Sequence, residues 1–258
     1  MNILFIGDIV GRPGRRVVKK FLPKVLADFS VDLVIANAEN AAGGLGATPE
    51  ILDELLKLGI QGFTMGNHTW RKKTIFRVMD TLPIVRPANF PPGVPGKGSR
   101  VLRLQDGRSL GLVNLIGRVF MEPYGCPFAQ ADLELEKLRA ETPIILVDFH
   151  AEATSEKIAL GWHLDGRCSA VLGTHTHVPT ADTWIMPGGT AFQCDVGMCG
   201  PRHSVIGTER KKVIHRFITG MPEKFEVADG LAQLNAVYLE IDDENGRTRQ
   251  IERIQRTE

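Results

Sequence analysis

Five short apolar runs in this 258-residue chain each lead into residues able to bind a metal ion. Asp8 follows Ile3–Gly7, Glu39-Asn40 follows Leu33–Ala38, Asn67-His68 follows Phe63–Gly66, His150 follows Ile145–Phe149, and His175 with His177 follows Val171–Thr174. Four of the seven histidines fall in these places, which makes a shared purpose worth testing. Taken singly, each residue has an ordinary explanation: Asp and Gly-Asn close turns, and a lone histidine often serves packing. Together they form a coherent donor set. Carboxylate, imidazole and amide oxygen suit borderline divalent ions such as Mn, Fe, Zn or Co, and the missing thiolates argue against structural zinc. One Asp, one Glu, two Asn and three His exceed what one four-coordinate ion needs. A carboxylate bridging two ions accounts for the surplus. Paired ions about 3.5–4 Å apart clamp the attacking and leaving oxygens of an in-line phosphoryl displacement.

The elements that must position these residues are legible from periodicity. Asn2–Gly7 is continuously apolar, as expected of a strand buried on both faces. Pro13 stands near a helix start, and Val17, Val18, Phe21, Leu22, Val25 and Leu26 follow at helical spacing. Asp32–Asn37 reads as a second strand, Thr48-Pro49-Glu50 as a capped helix start with its stop at Gly59, and Gln61–Met65 as a third strand. This β-α-β-α-β succession implies right-handed crossovers and a mainly parallel sheet, whose carboxyl ends share one edge where ligands bind. Further on, Val101–Leu104 and Leu110–Leu115 form a hairpin around Asp106-Gly107. Ala131–Ala140 and the region near Ser155–His163 are helical. Ile144–Phe149, Ala170–Gly173, Ala191–Gln193 and Ala236–Ile241 are strands, with a turn at Asp242–Arg247. Pro87–Gly98 is a loop. Alternation along an extended segment places His175 and His177 on one side, where both can face one cation. Two packed sheets flanked by helices, in one domain spanning 1–258, is the simplest architecture.

A hydrophobic fraction of 43% with 24% charged residues fits a globular protein with a real core. The formal net charge of +1 indicates neither nucleic acid nor a membrane surface as partner. No stretch approaches the ~20 apolar residues of a membrane span, and the first apolar run reads as a buried strand rather than a signal peptide. Cys126, Cys168, Cys194 and Cys199 lack CxxC spacing and are expected to be reduced packing residues in a cytoplasmic protein. Arg12, Arg15 and Arg16 follow Asp8 closely; a solvated helix face competes there with a role in attracting phosphate. The Gly7–Gly14 turn lacks the Gly-x-Gly-x-x-Gly pattern, and Asp8 would repel a pyrophosphate.

The order Asp8, Glu39-Asn40, Gly66-Asn67-His68, His150, Gly173-Thr174-His175-Thr176-His177 resembles the calcineurin-like metallophosphoesterases over about two thirds of the chain. Three departures stand out. No histidine follows Asp8 at the Asp-x-His position, Glu39 replaces a bridging aspartate, and Thr69 stands where an acidic residue is usual. Gly-Asp-Ile-Val-Gly and Ala-Glu-Asn are similar to the bacterial YmdB-like branch. That resemblance implies a four-layer α-β-β-α sandwich of two mixed sheets. It implies one ion on Asp8, Glu39, Asn40 and His177 and a second on Glu39, Asn67, His150 and His175, with Asn40 in place of the missing histidine. Glu39 would bridge and His68 would protonate the leaving oxygen. It further implies iron, or manganese as alternative, homo-oligomers, and hydrolysis of cyclic nucleotides, particularly 2′,3′-cyclic nucleotides at the 2′ bond, by metal-bound hydroxide. A phosphomonoesterase or protein phosphatase of the same superfamily, or a non-catalytic metal-binding regulator, is the alternative.

Overall fold

The computed structural model describes residues 1–258. In chain order the elements are β1 (Asn2–Ile6), β2 (Asp8–Ile9), α1 (Gly11–Asp28), β3 (Leu33–Asn37), α2 (Pro49–Lys57), β4 (Gly62–Thr64) and β5 (Ile84–Val85). Then come β6 (Ser99–Arg103), β7 (Ser109–Ile116), α3 (Pro127–Arg139), β8 (Ile145–His150), α4 (Thr154–Leu164) and β9 (Ala170–Thr174). The chain closes with β10 (Trp184–Ile185), β11 (Ala191–Gln193), β12 (Met198–Pro201), α5 (Arg210–Thr219), β13 (Ala232–Ile241) and β14 (Thr248–Thr257).

Two mixed sheets face each other. The first runs β2-β12-β13-β1-β3-β4-β5, with β14 paired to the other side of β13; the second runs β10-β11-β9-β8-β7-β6. Neighbours β1, β3, β4 and β5 are parallel, as are β7, β8 and β9. The continuous apolar runs are explained by what lies on either face. In β1, Leu4 and Ile6 pack with Val18, Leu22 and Val25 of α1, while Ile3 and Phe5 join Leu33 and Ile35 of β3 and Leu112 and Leu146 between the sheets. In β8, Leu146 faces that inter-sheet core, and Ile145, Val147 and Phe149 face Leu135 of α3 and Leu160 of α4. Helix, sheet, sheet and helix therefore form four layers around three apolar cores. Truncating a fully buried side chain such as Phe5 or Phe149 to Ala would cost about 3–5 kcal/mol.

The first half follows the sequence reading closely. Thr48 caps α2 by accepting from the Ile51 amide at 3.4 Å, with Pro49 inside the first turn. The second half contains what periodicity did not show: the two-residue β10, β12, α5 and β14, to which the two-residue β2 and β5 of the first half are added. In α5 only Val213 is buried, so no apolar stripe marks it. In β14 the sequence TRQIERIQRT carries only two isoleucines, because this edge strand gains its order from pairing with β13. Cys168 and Cys194 lie in the core beneath α4 and Cys199 in the core against α1, as packing residues. Cys126 departs from that expectation: it is only partly buried, at the start of α3. No helix is long and apolar enough to cross a membrane.

Candidate metal centre

The parallel strands of both sheets end along a common edge, and the inter-sheet core changes there from apolar to polar. Asn37, at the end of β3, donates to Asp148 Oδ2 in the facing β8 at 3.0 Å and to the Met65 carbonyl at 3.1 Å. Its own Oδ1 accepts from the Glu39 amide at 3.1 Å, which sets the turn that presents Glu39. Asp8, Glu39, Asn40 and His150 are all essentially inaccessible to solvent. Gly66 leaves the space they occupy: a Cβ there would lie 2.4 Å from Glu39 Oε2 and from His150 Nε2. Glycine in the Gly-Asn-His run is therefore a matter of room.

All eight residues singled out in the sequence meet here, in two groups that share Glu39. In one, Glu39 Oε1 lies 3.2 Å from His150 Nε2, Asn67 Oδ1 lies 2.9 Å from the same nitrogen, and His175 Nδ1 lies 3.0 Å from it. In the other, Asn40 Nδ2 lies 3.1 Å from Glu39 Oε1 and 3.1 Å from His177 Nε2, and His177 Nε2 lies 3.8 Å from Asp8 Oδ1. His68 stands beside the second group, its amide 2.9 Å from Glu39 Oε2 and its Nδ1 2.7 Å from Asn40 Oδ1.

The partners of the outward ring nitrogens assign the tautomers. Thr174 Oγ1 donates to Asp148 Oδ1 at 2.7 Å, so it accepts from His150 Nδ1 at 2.9 Å and leaves Nε2 bare. His177 Nδ1 donates to the Ile206 carbonyl at 2.8 Å, leaving its Nε2 bare. His175 Nε2 lies 3.2 Å from Glu152 Oε2, which turns a bare Nδ1 inward. With the rings neutral, the inward imidazole lone pairs converge with the Glu39 and Asp8 carboxylates and the Asn67 oxygen, and the Asn40 amide donates to Glu39 Oε1 at 3.1 Å. The buried Asp8 Oδ1 has no hydrogen-bond partner at all. Ligand atoms of Glu39, His150 and His175 lie within 4.8 Å of one another. A cation is the group that such a set fits; the donors also have the carboxylate, imidazole and amide chemistry of a divalent site.

The electrostatics without a cation show the same demand. Burial opposes charge on Glu39, yet the neighbouring His150 and His68 hold its carboxyl well below the usual range. Burial also opposes charge on His150, but the carboxylates of Glu39, Asp8 and Asp148 overcome it and raise the ring to about 9. Burial, reinforced by charge on His150, lowers His175 to about 3. Burial raises Asp8, and lifts Asp148 to about 6.

One expectation is corrected by the backbone. β9 ends at Thr174, and His175 and His177 sit in a turn with φ of 98° and 67°. They do not share a side of an extended segment: His175 joins the His150 group and His177 joins the Asp8 group. Positive φ at two non-glycine residues is strained and needs a rigid support. A buried ion pair supplies it. Lys157 Nζ donates to Asp195 Oδ2 and to the Thr174 carbonyl, both at 2.8 Å, and the Thr176 amide donates to the same Asp195 oxygen at 3.0 Å. Asp148 and Lys157, polar residues on otherwise apolar faces, were the available signals for this support. The Ile206 carbonyl left none, since a backbone atom has no sequence signature. Arg15 and Arg16 hold Glu54 and Glu258, at 3.1 and 2.8 Å, so neither is free for a substrate phosphate.

A cavity of about 300 Å³ opens from the second group alone, bordered by His68, His177 and Asn40 and walled by Leu45, Ile206 and Val227.

A family model described as YmdB-like protein matches residues 4–254. The chain belongs to the YmdB-like family. It is 50% identical over 255 residues to a 2′,3′-cyclic-nucleotide 2′-phosphodiesterase of Bacillus subtilis (strain 168), covering 98% of this chain and 96% of the relative. Among solved structures it matches a hypothetical protein from Thermus thermophilus with a TM-score of 0.94, 45% identity and 100% of both chains covered. A crystal structure of a novel phosphatase from Mycoplasma pneumoniae also superposes at a TM-score of 0.94, with 36% identity, covering 100% of this chain and 93% of the other. The two-sheet α-β-β-α sandwich of this YmdB-like chain is thus the fold of its relatives.

Proposed function

We propose that the protein is a metal-dependent phosphodiesterase that opens 2′,3′-cyclic nucleotides at the 2′ bond. The observation that carries this reading is the position of Glu39, whose Oε1 lies between the two donor groups, 3.1 Å from Asn40 Nδ2 and 3.2 Å from His150 Nε2. The activity of the Bacillus subtilis relative, at 50% identity, supports the substrate class.

Asp8, Glu39, Asn40 and His177 would hold one ion, and Glu39, Asn67, His150 and His175 the other, with iron or alternatively manganese suiting the donors. When bound, such ions neutralise phosphoryl oxygens and lower the pKa of water. The chain's own groups orient the phosphodiester and supply the proton. In the amide orientation that turns the Asn40 oxygen toward Glu39 and His177, its nitrogen donates to His68 Nδ1. The His68 proton then resides on Nε2, available to the leaving oxygen. Glu152 and the Ile206 carbonyl keep His175 and His177 in the tautomers that binding requires. Three buried cysteines with no disulfide agree with a cytoplasmic location; assembly as a homo-oligomer completes the reading and is tested by light scattering.

The deciding experiment measures hydrolysis of 2′,3′-cyclic, 3′,5′-cyclic and linear phosphodiesters and of a phosphomonoester, with metal content determined on the same sample. Preference for the 2′,3′-cyclic substrate by protein holding two ions is expected. Turnover of the monoester alone would favour a phosphatase, in line with the Mycoplasma structure. Two ions without any turnover would favour a regulator.

A further inference from the structure

The geometry points to the cavity beside His68 as a nucleobase site that selects which of the two phosphoester bonds breaks; this rests on the phosphodiesterase reading. The cavity borders His68, Asn40 and His177 but not Asn67, His150 or His175, so it lies on one side of the centre. Asn40, His68 and His177 line it at the catalytic end, Leu45, Ile206, Phe225 and Val227 provide apolar wall, and Thr208 and Glu226 add polar atoms along that wall. At about 300 Å³ it is at the small end of ligand sites, enough for one flat heterocycle with part of its sugar.

Three features show that the wall is built. A Cβ on Gly44 would come within 2.7 Å of Val227 Cγ2, so the glycine loop and the Val227 segment are in direct contact there. Arg216 rests 5.1 Å over the Phe225 ring and steadies it. Ile206 adopts φ of 46°, an uncommon conformation for a β-branched residue. That strain accompanies two roles held by one residue. The Ile206 carbonyl accepts from His177 Nδ1 at 2.8 Å, and its side chain lines the cavity. The cavity wall and the orientation of a metal-binding imidazole are thereby one piece of backbone.

The chemistry of the substrate gives this placement a consequence. In a 2′,3′-cyclic nucleotide, O2′ is attached to C2′, which is bonded to the base-bearing C1′. O3′ is one carbon farther away. A base seated against Phe225 therefore brings O2′, rather than O3′, toward His68. In the hydrolysis, the water oxygen forms a new bond to phosphorus and releases a proton to solvent. The P–O2′ bond breaks, its electron pair leaves with O2′, and His68 protonates that oxygen. The product is the nucleoside 3′-phosphate. A substrate lacking the base has no such anchor, and both bonds become available.

The test compares 2′,3′-cyclic AMP with the 2′,3′-cyclic phosphate of methyl riboside, which lacks a base, and determines the 3′- to 2′-monophosphate ratio by phosphorus NMR. Nearly pure 3′-product is expected from the nucleotide and a mixture from the riboside. Phe225→Ala and Leu45→Ala alter residues that are 43% and 47% exposed, so folding is preserved. Each should lower kcat/KM for the nucleotide by about 5- to 100-fold, the range of lost base stacking, and shift its products toward the mixture. Adenosine binding to metal-free protein, followed by NMR titration, should weaken in the same variants. Equal bond selectivity for nucleotide and riboside, or unchanged selectivity and adenosine binding in both variants, would overturn the nucleobase site and leave the phosphodiesterase reading intact. Failure of the wild-type protein to open either cyclic phosphate would overturn both.

Discussion

The His150 group and the Asp8 group offer the same kinds of donor but are held in different ways. His150 is locked from below by Thr174 and Asp148, which Asn37 ties across to the other sheet. Its neighbour His175 stands on a turn pinned by the Lys157–Asp195 pair. His150 closes β8, and the cavity beside the centre does not border this group. The Asp8 group is walled instead by loops: a backbone carbonyl at Ile206 orients His177, and a cavity opens beside Asn40 and His68. One group is thus braced by buried polar side chains of both sheets, and the other borders the cavity. Regular strands place a ligand with little freedom, whereas loops leave room for a substrate and for its variation.

Glu39 belongs to both halves, so its removal is the largest perturbation. Glu39→Ala should lose both ions and several kcal/mol of transition-state stabilisation, on the order of a 10³-fold or greater fall in turnover. Two ions per chain retained in elemental analysis would show that Glu39 is not shared. His68→Ala tests the cavity side alone. Turnover should fall about 10²–10⁴-fold while metal content stays near normal, and loss of the ions would move His68 from proton donor to ligand. Thr174→Val tests the braced group alone: with the His150 Nδ1 partner gone, affinity for a divalent ion should drop about 10–100-fold in a calorimetric titration. An unchanged affinity would mean that packing alone orients His150.

The smallest effect is expected at the opposite ends of the strands. Asp32 precedes β3, whose far end leads to Glu39, and accepts two bonds from Arg108 at 2.8 and 2.9 Å. Those hydrogen bonds hold its carboxyl below the ordinary value. A depressed folded-state pKa contributes stability that is full above the unfolded value of about 3.9 and is lost as pH falls through the folded one. Asp32→Asn should therefore cost up to about 1 kcal/mol at pH 7, with turnover and metal content unchanged. In thermal melts the difference from wild type should shrink below about pH 3.9. A variant that lost metal would show that the two strand ends are not independent.

The sheet frame and most of the donors were visible in the chain because both are local. A run such as Ile3-Leu4-Phe5-Ile6 is apolar throughout since alternate residues enter different cores. Asp8, Glu39, Asn67 and His150 come just after such runs because parallel strands finish on one edge. The His175–His177 turn was misread because alternation assumes an extended backbone, and positive φ at a histidine has no sequence mark. β12 and β14 were missed because their order comes from pairing with β13, a long-range contact that leaves no period of its own.

By itself, the sequence determined the donor chemistry, the strand ends that carry it and the family to which the chain belongs. Only the tertiary structure decided how the donors divide into two groups about Glu39, which ring nitrogens face inward, and where a cavity opens beside them. Burial and side-chain type are written locally through periodicity and composition. A tautomer depends on a partner such as Ile206, 29 residues from His177. A cavity depends on segments as distant as Leu45 and Val227 meeting across the return of β12 and β13 to the first sheet.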